Sequence, residues 1–252
     1  MVAGRAHAIF DSLLSKNRVV LDYGCGSGRF LQEAGQRIGE GIGVDLDGRL
    51  VETANSTSMF GHVRYVQGDA KTRLPFESDR FDVIFAFDVI EHLGDEAPYI
   101  QEFYRLLRPG GRLVIEVPSR GPFRAFDIGN IKYNFPRLHR WFYYYVARQP
   151  EYYEKNFGPD APMFGQFTRD AGEHKHYSVV DLEKIAAPRF QLERHILFGF
   201  FFELIQFVEV IACKPFGRSG SKLFSWLMEQ DSRLLSPIGR AYFLGVFKKV
   251  DC

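Results

Sequence analysis

Val19-Val-Leu-Asp-Tyr-Gly-Cys-Gly-Ser-Gly-Arg-Phe30 joins an apolar, β-branched run to a turn with glycine at alternate positions. The run ends on Asp22, which reads as the polar exit of a buried parallel strand at the carboxyl edge of a sheet. Gly24, Gly26 and Gly28 then permit positive φ and allow a ligand to approach bare backbone. A helix opening near Ser27 is expected to aim its free amides at the same spot, making a cradle for a flat or anionic ligand. Glycine in a tight strand-to-helix turn also has a purely steric reading.

A second strand over 41–44 ends on Asp45, ~20 residues past Gly24, where a βαβ unit presents an acid to a ribose diol. The dinucleotide fingerprint asks for a third glycine where this chain has Arg29, which disfavours a nicotinamide or flavin site. Strands are further expected over 63–67, 81–85 and 112–117, with helices over 3–14, 49–56 and 97–107 and a Pro109-Gly110-Gly111 turn before the fifth strand. This alternation is that of an α/β, doubly wound sheet.

The ordered set Asp22-x-Gly24-x-Gly26-x-Gly28, Asp45, Gly68-Asp69-Ala70, Phe81-Asp-Val-Ile-Phe-Ala-Phe-Asp-Val-Ile-Glu-His-Leu93 and Leu107-Arg-Pro-Gly-Gly-Arg-Leu-Val-Ile115 resembles the class I S-adenosylmethionine-dependent methyltransferases. The branch is the broad one that includes quinone-biosynthesis and natural-product enzymes. The resemblance is strong over about 17–118 and weak over 175–190. It implies a Rossmann-like, mostly parallel seven-stranded sheet whose last strand, over 241–250, enters antiparallel beside a sixth over 190–197. It also implies S-adenosylmethionine as cofactor. Asp22 and the Gly24, Cys25 and Gly26 backbone would hold its methionine end, with Gly28 completing the turn. Asp45 would bind the ribose hydroxyls, Asp69 the adenine amino group and the Ala70 amide a ring nitrogen. Leu46 would cover the adenine, and Phe87 would lie near the methionine.

At 252 residues and 46% hydrophobic content the chain is long enough for one domain with a sizeable core, taken to run from 1 to 252 with two insertions. A net charge of +1 supplies no field for grasping nucleic acid, although Lys132, Arg137, Arg140 and Arg148 form one basic stretch. Three unpatterned cysteines and no signal-like leader point to the cytoplasm, and no metal site is expected. The first insertion, 119–177, is rich in Phe, Tyr and Trp and reads either as a lid over a small aromatic or lipophilic acceptor or as a packed subdomain. Its nearly continuous apolar run, 138–146, is expected to be buried on most sides or to lie against something greasy. The second insertion, 198–240, contains an amphipathic segment, 199–211, in which Glu203, Gln206 and Glu209 share one polar side. That segment is a candidate for core packing, a pocket roof, a dimer contact or a membrane-surface contact.

Methyl transfer from a sulfonium requires alignment of the acceptor and, for a hydroxyl, removal of its proton. His92, His174 and His176 are the candidate bases. For His92 a structural role at a helix start competes, and Ser178 with Asp181 reads as a capping box beside the other two. O-methylation is the leading expectation. C- or N-methylation of a quinone-like acceptor and a non-catalytic cofactor-binding scaffold are the alternatives.

Overall fold

The computed structural model describes residues 5–127, 134–157, 175–213, 222–233 and 241–250. Seven strands form one sheet: β1 (Val19–Tyr23), β2 (Glu40–Asp45), β3 (Val63–Gln67), β4 (Phe81–Phe87), β5 (Leu107–Pro118), β6 (Phe190–Phe198) and β7 (Tyr242–Lys249). Their order is β3-β2-β1-β4-β5-β7-β6. The first five are parallel, and β7 runs antiparallel between β5 and β6. The alternation seen in the sequence therefore yields the expected doubly wound sheet, with the antiparallel strand where the family resemblance placed it.

Strand alternation sorts the core into two layers. Val20, Val83, Phe85 and Val114 face α1 (Arg5–Leu13), α2 (Arg29–Ala34) and α3 (Gly48–Ser56). Leu21, Ile84, Ala86, Leu113 and Ile115 face the opposite layer, α4 (Ala97–Leu106) and α7 (Val179–Ala186). Full burial of each large side chain contributes about 1.5–3 kcal/mol. Strand order reverses between β1 and β4, so the crevice expected of an open α/β sheet lies at their carboxyl ends.

The insertions add α5 (Pro136–Trp141), α6 (Pro150–Phe157), α8 (Phe202–Cys213) and α9 (Lys222–Arg233). The expectation of near-complete burial over 138–146 is corrected. Tyr143 is buried, with its ring stacked 5.8 Å from Tyr152, but Leu138, Trp141, Tyr145 and Val146 are exposed. The short helix and the π-turn over Phe142–Val146 press only one side inward and turn the other outward. Within 199–211 the polar side is not uniformly wet: Glu203 is only 4% exposed, whereas Gln206 and Glu209 are half-buried. Among the described residues no helix is long and apolar enough to cross a membrane.

Candidate functional site

Asp22, Asp45 and Asp69 all stand at the carboxyl edge, at or just beyond the ends of β1, β2 and β3. Gly24, Gly26 and Gly28 have φ of 80°, 51° and 83°, so the left-handed region read from the sequence is occupied at each. Three amides of this turn are engaged. The Gly24 and Cys25 amides donate to the Val44 carbonyl at 2.7 and 3.1 Å, and the Gly26 amide donates to Asp45 Oδ2 at 2.8 Å. The second strand and its terminal acid thus take up three of the turn's amides, while the opening amides of α2 have no partner within the helix. Asp22 and Asp45, which flank the first half of the turn, suit a cation there.

Asp22 is 3% exposed, and its Oδ2 has no hydrogen-bond partner. Burial, reinforced by Asp45, pushes its carboxyl up to about 7. A buried acceptor without a donor, beside a glycine at which an added Cβ would meet nothing within 4 Å, fits an ammonium group approaching Gly26. Because the folded-state value is raised, the protonated carboxyl favours the fold, and this contribution is lost as pH rises from the ordinary carboxylate range through about 7. Asp22→Asn is expected to raise the unfolding free energy by up to about 4 kcal/mol at pH 8 and to leave it unchanged near pH 4. Denaturant titration at the two pH values checks this, and an equal effect at both would show that Asp22 titrates normally.

Asp45 is held by its second oxygen pair as well, Oδ1 accepting from the Asp47 amide at 2.9 Å. Each oxygen retains a second lone pair for a ribose hydroxyl. Asp69 Oδ1 accepts from the Lys71 amide at 2.9 Å and lies 3.4 Å from the Tyr23 hydroxyl. The Ala70 amide, expected at an adenine nitrogen, instead donates to that same hydroxyl at 3.1 Å and is corrected accordingly. Tyr23 was not singled out in the sequence, although its position between Asp22 and the glycine turn was the available signal. Leu46 is exposed, as a residue free to cover a ligand ring would be. Phe87 is half-buried, its ring 5.6 Å from Phe10 and 5.1 Å from Phe30, so α1 and α2 fix it beneath the crevice. Cys25 is a free, buried thiol pushed above its ordinary range by burial and by Asp22 and Asp45.

The candidate bases lie on the other side of the crevice, beyond β4, β5 and β7. Ile90–His92 forms a 3-10 turn, with His92 Nε2 3.8 Å from Glu91 Oε1. The end of the first insertion docks on this turn: the Lys175 amide donates to the Glu91 carbonyl, and the Tyr177 hydroxyl reaches Glu96 Oε1 at 2.7 Å. The Ser178–Asp181 capping box is formed, which anchors His176 and Tyr177 ahead of α7. His176 is thereby set with Nε2 3.4 Å from Asp127 Oδ2, both side chains being largely buried. His174 lies outside the described residues. Burial, with Asp88 and Glu91 adding to it, pushes Glu116 up to about 8, and burial, with the same acids and Asp127, raises the Tyr242 phenol. Glu116, Asp127 and Tyr242 were missed in the sequence because only the sheet order brings them to one edge. Among the described residues no group of three or more His, Cys, Asp or Glu is placed to hold a metal ion.

The Methyltransferase domain family matches residues 21–115, the stretch that carries the three acids and the glycine turn. Residues 21–115 are a methyltransferase domain of the S-adenosylmethionine-dependent family. S-adenosylmethionine is the cofactor of this family. Within it the chain is similar to a "Probable S-adenosylmethionine-dependent methyltransferase" of Mycolicibacterium smegmatis, with 35% identity over 109 residues, covering 42% of this chain and 40% of that one. It is also similar to the ubiquinone biosynthesis O-methyltransferase of Alkalilimnicola ehrlichii, with 28% identity over 109 residues, 42% of this chain and 44% of that one. The chain thus spans less than half the length of these relatives. In structure, the methyltransferase fold is similar to that of geranyl diphosphate C-methyltransferase from Streptomyces coelicolor. The TM-score is 0.57 at 16% identity, covering 98% of this chain and 80% of that one, a likeness of fold alone.

Proposed function

We propose that this methyltransferase transfers a methyl group to the hydroxyl of a small aromatic or lipophilic acceptor. The observation that carries this reading is the His176–Asp127 pair, an imidazole and a carboxylate 3.4 Å apart on the acceptor side of the sheet. When bound, S-adenosylmethionine supplies an electrophilic methyl group on sulfur. Asp22 would hold the methionine ammonium, Asp45 the ribose and Asp69 the adenine amino group. Leu46 would lie on the adenine ring, and Gly24, Cys25, Gly26 and Gly28 would let the ligand approach the turn. Ala70 and Phe87 would shape the pocket walls.

His176 removes the acceptor's hydroxyl proton, and Asp127 holds the imidazolium that results. His176 is preferred over His92 because its acid comes from a different segment of the chain, at 3.4 Å, whereas Glu91, 3.8 Å from His92, is that residue's chain neighbour. His174 remains a third candidate base. The names of the relatives support the O-transfer reading, since the Alkalilimnicola protein is a ubiquinone O-methyltransferase and an Arabidopsis thaliana relative is a tocopherol O-methyltransferase. No nucleic-acid substrate and no metal enter this reading, the chain acts in the cytoplasm, and 199–211 roofs the acceptor pocket.

Labelled S-adenosylmethionine with a panel of phenols and hydroquinols tests the reading. Stoichiometric label in an aryl ether supports it, and label on carbon or nitrogen alone overturns the O-transfer part. His176→Ala is expected to lower kcat by about 10²–10⁴-fold while S-adenosylhomocysteine binds as before. If instead His92→Ala produces that loss and His176→Ala does not, the base is His92.

A further inference from the structure

Glu203, in the first turn of α8, is buried to 4% exposure, and neither of its carboxylate oxygens has a hydrogen-bond partner. Its direction follows from its neighbour one turn on. Phe207 packs its ring 5.3 Å from that of Phe126, and residues four apart share a helix face, so Glu203 points toward the segment that holds Phe126 and Asp127. Asp231 closes the other side. Its carboxylate accepts from the Phe200 amide at 2.9 Å and from the Phe201 amide at 3.0 Å. Burial, Asp127 and Asp231 together push Glu203 up to about 7. Glu203 therefore faces two acids, with only its own backbone amide to oppose them, beside the histidine to which the base role was assigned.

We propose that Glu203 and Asp127 receive the ammonium group of the acceptor, so that the substrate is an aromatic hydroxy compound carrying a protonated amine. This rests on the methyltransferase reading for the reaction, but not for the binding. An ammonium offers three donors and no acceptor, which matches an unsatisfied carboxylate between like charges. The rings of Phe123, Phe200 and Phe201 pack on one another at 5.3 and 5.5 Å beside the same helix start and provide faces on which a cation rests. An organic cation is favoured over a metal ion, because no cluster among the described residues has the placement a metal needs.

Equilibrium binding of tyramine and of para-ethylphenol, which lacks the amine, to the protein saturated with S-adenosylhomocysteine tests the proposal. Tyramine is expected to bind at least about tenfold more tightly, and Glu203→Gln is expected to erase the difference while leaving para-ethylphenol unaffected. Equal binding of the two probes by the wild type, no binding of either, or an unchanged preference in a folded Glu203→Gln overturns it. The wild-type comparison decides the matter even if the variant fails to fold. Tyramine binding in a protein that does not bind S-adenosylhomocysteine would retain the amine site and reject the methyltransferase reading.

Discussion

Asp45→Ala is expected to weaken S-adenosylhomocysteine binding by at least about 100-fold in a calorimetric titration. Two effects add. The substitution removes the acceptor assigned to the ribose hydroxyls, each charged hydrogen bond contributing about 1.5–3 kcal/mol. It also frees the amides of Gly26 and Asp47, which Asp45 now holds at 2.8 and 2.9 Å, so the glycine turn loses a tie to β2. Asp45→Asn, which keeps one carbonyl oxygen, is expected to fall between the two. Wild-type affinity in the alanine variant would show that Asp45 does not bind ribose.

The second large effect is on stability and concerns Gly28→Ala. A Cβ built there lies 2.5 Å from Tyr65 Cζ and 2.6 Å from its hydroxyl oxygen, and the residue must hold φ of 83°. Tyr65 cannot swing away without breaking the 3.0 Å bond from its hydroxyl to the Gly28 carbonyl. Steric overlap and the left-handed backbone together should cost about 2–4 kcal/mol in denaturant titration. Tyr65→Phe, which removes only the hydrogen bond, should cost about 1 kcal/mol. If Gly28→Ala unfolds within about 0.5 kcal/mol of the wild type, the third glycine of the turn is dispensable.

These expectations also mark how far the sequence could be read. The strand-end acids and the three glycines were legible because each obeys a local rule: polar exit from an apolar strand, and positive φ in a tight turn. The polarity of the turn was not, because the acceptor of the Gly24 and Cys25 amides is the Val44 carbonyl on another strand. No spacing along the chain encodes that bond, so the engagement of these two amides becomes visible only in space. Glu203 fails for a related reason. A polar residue every third position looks the same whether its helix lies on water or over a pocket, and only the packing of Phe207 on Phe126 decides which. The acceptor side as a whole is assembled from residues 88, 116, 127, 176, 203 and 242, which meet only through the order of strands.

That order also sets a timetable for synthesis. β6 pairs only with β7, and β7 is the last strand of the sheet to leave the ribosome. The five parallel strands between residues 19 and 118 have their sheet partners among themselves as soon as they emerge. β5 meanwhile waits with an open edge. A nascent chain halted before residue 242 would thus present the cofactor half with a bare strand, the kind of edge that invites pairing with another polypeptide. Closure of the sheet beyond β5 and protection of that edge become a single event, set by the emergence of β7.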